Sequence, residues 1–217
     1  MKTLAAVVIE PGKPIEIEEL TLEKPGPNEV LIQYLYGGLC HSDVHISIGD
    51  TIARLPMVLG HEGAGIIQEV GPGVTRVKPG DHVVCSFTPT CGRCKYCATG
   101  RSSVCDMNAA MLEGHLEGPR WPISGPRGSY GAMCTLGTFS QYNVINQYSV
   151  VKVDDDIPSI RQYWSAAACP PAGARLCTPR KPSPATSSPS SVSAASVSMP
   201  CREPSMLVPS TSSPSTR

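Results

Sequence analysis

Between residues 91 and 105 the chain carries four cysteines, Cys91, Cys94, Cys97 and Cys105, set by two short spacers and then a longer one. Thiolate sulfur sits about 2.3 Å from zinc, and two-residue spacers let a loop fold back on one tetrahedral ion. Four protein ligands close such a centre to substrate. The cluster therefore reads as a structural zinc site holding a lobe with little apolar content of its own. Binding of this kind contributes roughly 10–16 kcal/mol in favourable cases, coupled to ordering of the lobe. Arg93, Lys95 and Arg101 stand beside the thiols, where positive charge offsets the excess negative charge of four thiolates on a dication. The alternatives at this point are disulfide pairing in a secreted domain, or surface cysteines unrelated to one another.

Composition bears on that choice because the chain has two unlike parts. Up to about Pro158 it mixes β-branched residues, charges and glycine turns; beyond Cys169 it is dominated by Ser, Pro, Thr and Ala, with Glu203 the only acid. Residues 159–217 therefore read as a low-complexity tail, disordered because it cannot bury enough apolar surface to offset its ordering entropy. Formal net charge is zero and no Lys/Arg run tracks a phosphate backbone, so nucleic acid is not an expected partner. The start from Met1 to Ile9 is too short in apolar length for a signal peptide and is followed by Glu10-Pro11-Gly12 without a small-residue cleavage site. No window is long and apolar enough for a membrane span. The expected location is the reducing cytoplasm, which favours metal ligation over disulfides for the ten cysteines.

Most of the first part reads as strand. Residues 4–10, 15–20 and 30–36 are short β-rich runs separated by Pro11-Gly12 and by Pro25-Gly26-Pro27-Asn28. Residues 65–70, 82–86, 139–144 and 148–153 continue the pattern, with turns predicted at Gly71-Pro72-Gly73 and Lys78-Pro79-Gly80-Asp81. The fold class expected is mainly β, a compact barrel-like domain with few helices.

A second constellation precedes the thiols. Cys40-His41-Ser42-Asp43-Val44-His45 and Gly60-His61-Glu62-Gly63 each set a metal-capable side chain beside ionisable groups. Cys40 and His61 are two-thirds of an open zinc site, of the kind that lowers the pKa of a bound alcohol. By spacing alone, a buried thiol and a histidine satisfied by hydrogen bonds are the commoner explanation. Cys85 and Cys134 read as small core residues, and His82 and His115 as surface or hydrogen-bonded histidines.

Taken in order, Gly38-Leu39-Cys40-His41-Ser42-Asp43, Gly60-His61-Glu62-Gly63-Ala64-Gly65, Gly71-Pro72-Gly73-Val74, Lys78-Pro79-Gly80-Asp81-His82, Phe87-Thr88-Pro89-Thr90-Cys91 and Gly137-Thr138-Phe139-Ser140-Gln141-Tyr142 resemble the zinc-dependent medium-chain alcohol dehydrogenases. The resemblance runs from the first strand to about Pro158. It implies a GroES-like β domain over 1–158 carrying two zinc sites, normally followed by a Rossmann domain that holds NAD or NADP. Carried over by residue, Cys40 and His61 resemble catalytic zinc ligands, Glu62 the adjacent acid that approaches the metal, and Asp43 the carboxylate that orients the ligating histidine. Ser42 matches the hydroxyl that receives the alcohol proton and His45 the histidine that passes it to solvent; a helix cap is the plainer reading of Ser42. His41 matches a basic contact to the cofactor pyrophosphate, Phe87 and the 136–137 region match pocket walls, and Cys91, Cys94, Cys97 and Cys105 match the structural zinc loop.

The pattern breaks after Pro158. The family's third zinc cysteine belongs in a helical Gly-Cys-Gly context, whereas Cys169 stands in Ser165-Ala166-Ala167-Ala168-Cys169-Pro170-Pro171, and prolines oppose a helix. No Gly-x-Gly-x-x-Gly follows a strand, and Gly71-Pro72-Gly73 fits a turn better than a phosphate loop. The expectation is a zinc-dependent alcohol dehydrogenase by family, acting on a small-molecule alcohol or aldehyde, with the Rossmann domain absent and little or no turnover from this chain alone. The competing expectation is a non-catalytic zinc-binding module or remnant that pairs with a full-length enzyme; self-association is also expected of the family.

Overall fold

The computed structural model describes residues 1–154; residues 155–217, including Cys169 and nearly all of the predicted tail, lie outside the described residues. Strands β1 (Lys2–Val8) and β2 (Glu16–Leu22) pair antiparallel across the Pro11-Gly12 turn. Alternation sets the inward face: Thr3, Ala5 and Val7 are buried from β1, Leu20 and Leu22 from β2. With β4 (Met57–Val58), β7 (Ile123–Gly125) and β8 (Gly128–Ala132) they close a five-stranded barrel in the order β1-β2-β7-β8-β4. Its interior holds Leu20, Val58, Ile123 and Tyr130, all buried. Each such side chain contributes roughly 1.5–3 kcal/mol on leaving water. Tyr130 keeps its hydroxyl satisfied by donating to Glu18, 2.6 Å away.

The second layer is a five-stranded sheet in the order β10-β6-β5-β3-β9, built from β3 (Glu29–Gly38), β5 (Glu62–Val70), β6 (His82–Cys85), β9 (Tyr142–Asn146) and β10 (Val150–Lys152). Val30, Ile32, Ile67, Val83, Ile145 and Leu136 form its core. β3 and β5 run together for eight register pairs with two irregularities, and Gly65 faces the carbonyl of Gln33 so closely that any Cβ would overlap it. The two layers are interleaved in sequence: neither barrel nor sheet is made from one continuous stretch.

The predicted strands are all present with ends shifted by a few residues. The later ones begin beyond the expected positions because 137–141 turns towards β1 and 147–149 is a 3₁₀ turn. Not foreseen were the extent of the helix α1 (His41–Ile48), the two-residue β4 and the β7–β8 hairpin. Helix α1 begins at Cys40 as N-cap and ends where Gly49 takes φ +90°, its N–H bonding the Ile46 carbonyl. Ile46 anchors the helix on Val8, Met57, Leu59 and Met133. Ser42 is thus the second residue of the helix and not its cap. Cys85 and Cys134 are core residues, 5% and 7% exposed. No helix of the described residues is long and apolar enough to cross a membrane.

Candidate metal centres

The 91–105 lobe brings its four sulfurs together. All lie within 4.8 Å of one another, with Cys91–Cys97 at 4.0 Å and Cys94–Cys105 at 3.9 Å. Four sulfurs about 2.3 Å from a common tetrahedral centre are spaced by about 3.8 Å, whereas a disulfide holds its sulfurs at about 2.05 Å. The thiols are free, so the disulfide alternative is not met and the donor set fits a closed zinc centre. Local backbone explains the convergence. Cys91 sulfur accepts the N–H groups of Arg93 and Cys94, and Cys94, the N-cap of the four-residue helix α2 (Lys95–Ala98), accepts that of Cys97, each at 3.4 Å. Backbone N–H groups of Cys97 and Asp106 pull the Cys94 thiol down to about 6, while burial pushes Cys105 up to about 12. The cations beside the thiols have partners of their own: Arg93 reaches Glu117 and lies over Tyr148, and Lys95 and Arg101 flank Tyr96.

The second cluster is assembled from further apart. Cys40 comes from the end of the β3–α1 turn, His61 from the turn before β5, and Glu62 from the start of β5; their donor atoms lie within 4.8 Å of one another. One buried carboxylate sets this geometry. Asp43, 2% exposed, accepts the Cys40 N–H at 2.9 Å and the Gly60 N–H at 3.0 Å, and its Oδ1 faces His61 Nδ1 at 3.5 Å. It therefore ties the start of α1 to the loop that carries the histidine. The 3.5 Å approach to His61 is too long for a good hydrogen bond, and Nδ1 is a buried nitrogen without a partner within bonding distance. The other ring nitrogen, Nε2, faces Glu62 Oε1 at 4.0 Å. An imidazole with one carboxylate near Nδ1, a second near Nε2 and a thiol within 4.8 Å is a donor group that could hold a metal ion.

Electrostatics agree with that arrangement. Burial alone would lower His61, but the Asp43 carboxylate and the Cys40 sulfur outweigh it and raise its pKa. The Ser42 N–H, then its hydroxyl, lower the Cys40 thiol, and the Ser42 oxygen stands 3.7 Å from the sulfur. Gly60 is required here: at φ +90° it packs so tightly on the 138–139 backbone that an added Cβ would sit 2.7 Å from Phe139 N. Phe87 meets the His61 ring edge-on at 5.8 Å between centroids, while Leu136 is wholly buried in the sheet core.

His45 has its Nδ1 3.1 Å from Asp50 and its ring edge-on to His41 at 4.6 Å. His41 itself is exposed. Two features had no clear sequence signal: Asp50, which follows the helix cap Gly49, and the backbone role of Asp43, whose part as orienter of the histidine was expected from the resemblance alone. His115, as expected, is satisfied, by the Leu116 carbonyl at 2.7 Å and Glu113 at 3.4 Å.

Comparison with known proteins agrees in fold and sequence. The family model described as the alcohol dehydrogenase GroES-like domain matches residues 26–155. An NDMA-dependent alcohol dehydrogenase of Amycolatopsis methanolica is 59% identical over 158 residues, taking in 73% of this chain and 43% of the relative. Among solved structures, an alcohol dehydrogenase zinc-binding domain protein from Burkholderia ambifaria gives a TM-score of 0.71 at 30% identity, covering 76% of this chain and 45% of that one. The benzyl alcohol dehydrogenase of Acinetobacter calcoaceticus gives 0.66 at 31%, covering 73% and 43%. The chain thus spans less than half the length of these relatives. On its motifs, its barrel and this match, the chain belongs to the zinc-dependent medium-chain alcohol dehydrogenases, as a bearer of their GroES-like domain.

Proposed function

We propose that residues 1–158 are the zinc-binding catalytic domain of an alcohol dehydrogenase that interconverts an alcohol and its aldehyde or ketone with NAD or NADP, and that 159–217 is a segment outside the family pattern. The observation that carries the reading is Asp43, which by its two backbone contacts sets Cys40, His61 and Glu62 as one donor group. Cys91, Cys94, Cys97 and Cys105 hold the structural ion; Cys40 and His61, with Glu62 in reach, hold the catalytic one. When bound there, zinc supplies a Lewis acid that favours the ionised form of an alcohol.

The chain's own residues divide the remaining work. Asp43 keeps the His61 ring oriented. Ser42, exposed beside Cys40, takes up the proton of the substrate hydroxyl, and His45, whose Nδ1 meets Asp50, passes it to solvent. For the dinucleotide the residues present do not suffice. His41 is the one assigned contact, and the sequence has no glycine fingerprint after a strand. The 217-residue polypeptide alone is therefore expected to turn over little or no alcohol, because no hydride acceptor is held near the site.

A cytoplasmic location and self-association fit this reading, with neither nucleic acid nor membrane as a partner. Among the described residues the donor group of Cys40, His61 and Glu62 includes no third thiol within 4.8 Å, which favours one second reading, a zinc-binding module that pairs with a full-length enzyme.

Metal counting on purified protein separates the two. Two zinc ions per chain are expected, falling to one in Cys40→Ala or His61→Ala; one ion in every form supports the non-catalytic module, and none in a folded protein overturns both. Robust NAD- or NADP-linked alcohol oxidation, abolished by chelation, would refute the claim that this chain lacks a hydride acceptor.

A further inference from the structure

Two of the three donors of the second cluster, His61 and Glu62, stand between glycines, Gly60 before them and Gly63 after. Glycine on both sides leaves a donor pair free to swing unless something outside the turn takes up that freedom. Asp43 restrains one point, the Gly60 N–H. A second restraint comes from the 138–139 corner. Thr138 N–H donates to the Gly60 carbonyl and Phe139 N–H to the Leu59 carbonyl, each at 3.0 Å. The Gly60 carbonyl belongs to the peptide that leads into His61, so both backbone polar groups of Gly60 are tied, one to Asp43 and one to Thr138.

The Thr138 side chain fills the space that both glycines leave. It is 3% exposed. A Cβ built on Gly60 would lie 2.4 Å from its Oγ1, and one built on Gly63 would lie 2.8 Å from its Cγ2, so its two branches stand one against each glycine. Threonine is stiff at χ1 because it branches at Cβ. The backbone that carries it is anchored in both layers. The Tyr34 hydroxyl and Asn143 Nδ2 donate to the Leu136 carbonyl at 2.8 and 2.7 Å, and the Ala6 N–H donates to the Phe139 carbonyl at 2.8 Å. The Thr138 hydroxyl is itself buried with no hydrogen-bond partner among the described residues. A buried polar atom in that state costs stability, so what this side chain contributes is fit and not a bond made by its oxygen.

We propose that Thr138 is a positioning residue for the second metal centre: a rigid wedge against Gly60 and Gly63 that fixes the His61-Glu62 bend, and with it the approach of those two donors to Cys40. The inference rests on the reading of Cys40, His61 and Glu62 as a zinc site. Asp43 ties the start of the turn to α1, and Thr138 limits how far the turn can open. Without the side chain, the Thr138 N–H still holds the Gly60 carbonyl, but each glycine gains a hollow to move into and the three donors lose their common spacing.

Thr138→Ala and Thr138→Val separate fit from bonding. The zinc dissociation constants of both sites are measured on the 217-residue protein by competition with graded chelators, well below the thermal midpoint of each variant. Thr138→Ala is expected to weaken the second site at least about tenfold and to leave the four-thiol site unchanged. Thr138→Val, which keeps both branches, should stay within about threefold of the wild type. Hydrogen exchange gives a readout that does not need the second ion: in the one-zinc form, the Gly60 amide should exchange faster in Thr138→Ala than in the wild type or Thr138→Val. A wild type that holds a single ion would defeat the zinc reading and this inference together. With two ions in the wild type, an unchanged second site in Thr138→Ala, equal weakening of both sites, a valine form as weak as the alanine form, or a Gly60 amide indifferent to Thr138→Ala would each overturn this inference alone.

Discussion

The two cysteine-bearing clusters are built on opposite plans. The 91–105 lobe draws four like donors from fifteen consecutive residues, and its own backbone N–H groups point at the sulfurs. The 40–62 cluster draws three unlike donors from two separate stretches, Cys40 and the adjacent pair His61 and Glu62, and depends on Asp43 to hold the stretches together. The first has few apolar contacts of its own, and its sulfurs are spaced to fit a closed tetrahedral centre. The second rests on a folded frame, with Ile46, Met57 and Leu59 packed beneath it. A site organised by its metal and a site organised by its protein should fail in different ways.

Complete zinc removal should give the largest effect. Stripping the metal with a strong chelator is expected to withdraw binding energy of roughly 10–16 kcal/mol from the lobe. Hydrogen exchange should then rise steeply over 91–110 while the barrel and sheet amides stay protected; a domain that melts as one body would break the comparison. Asp43→Asn comes next, at about 2–4 kcal/mol in denaturant unfolding, since an amide nitrogen turned on either the Cys40 or the Gly60 N–H leaves that donor buried and unpaired. It should also take the zinc count from two to one, leaving the lobe loaded. Gly60→Ala should cost about 1–3 kcal/mol, from strain at φ +90° and from the approach to Phe139 N, with the same loss of the second ion.

The smallest effect is one of pH. A mild chelator should empty the three-donor site first, giving a one-zinc form. In that form the His61 pKa lies above its ordinary 6.5. The stability that its protonated ring gains from Asp43 is therefore fully present below pH 6.5 and lost as pH rises through the folded-state pKa. Thermal midpoints of the one-zinc form and of its Asp43→Asn variant should converge on that rise, apart from a constant offset. A gap that widens with rising pH would show the sign to be wrong.

The difference in plan also explains what could be read from the chain directly. The lobe was legible because its ligands are one residue type at short spacing, so local sequence carries the geometry. The Cys40–His61 pair was legible only through its family resemblance, since a separation of twenty-one residues says nothing until the fold closes it. A helix start was legible only in the reading of Ser42 as a cap; the true cap at Cys40 and the extent of α1 were not, because cysteine is a poor cap and His41-Ser42-Asp43-Val44-His45 has no apolar period. The β7–β8 hairpin was hidden for a related reason: Gly128-Ser129-Tyr130-Gly131-Ala132 has weak strand propensity, and its place depends on Tyr130 filling the barrel. Strands with β-branched runs between proline and glycine turns were read correctly, with errors confined to their ends.

Interleaving of the two layers has a consequence for biosynthesis. The barrel needs Gly128–Ala132 before it can close, and the sheet needs Val150–Lys152, so neither has a complete set of strands while the first hundred residues leave the ribosome. Pairings this far apart in sequence are slow to form, on the order of milliseconds to seconds. During that wait the thiol loop, whose four sulfur donors lie within fifteen consecutive residues, is the part of the nascent chain whose donor set can come together before any strand has its distant partner.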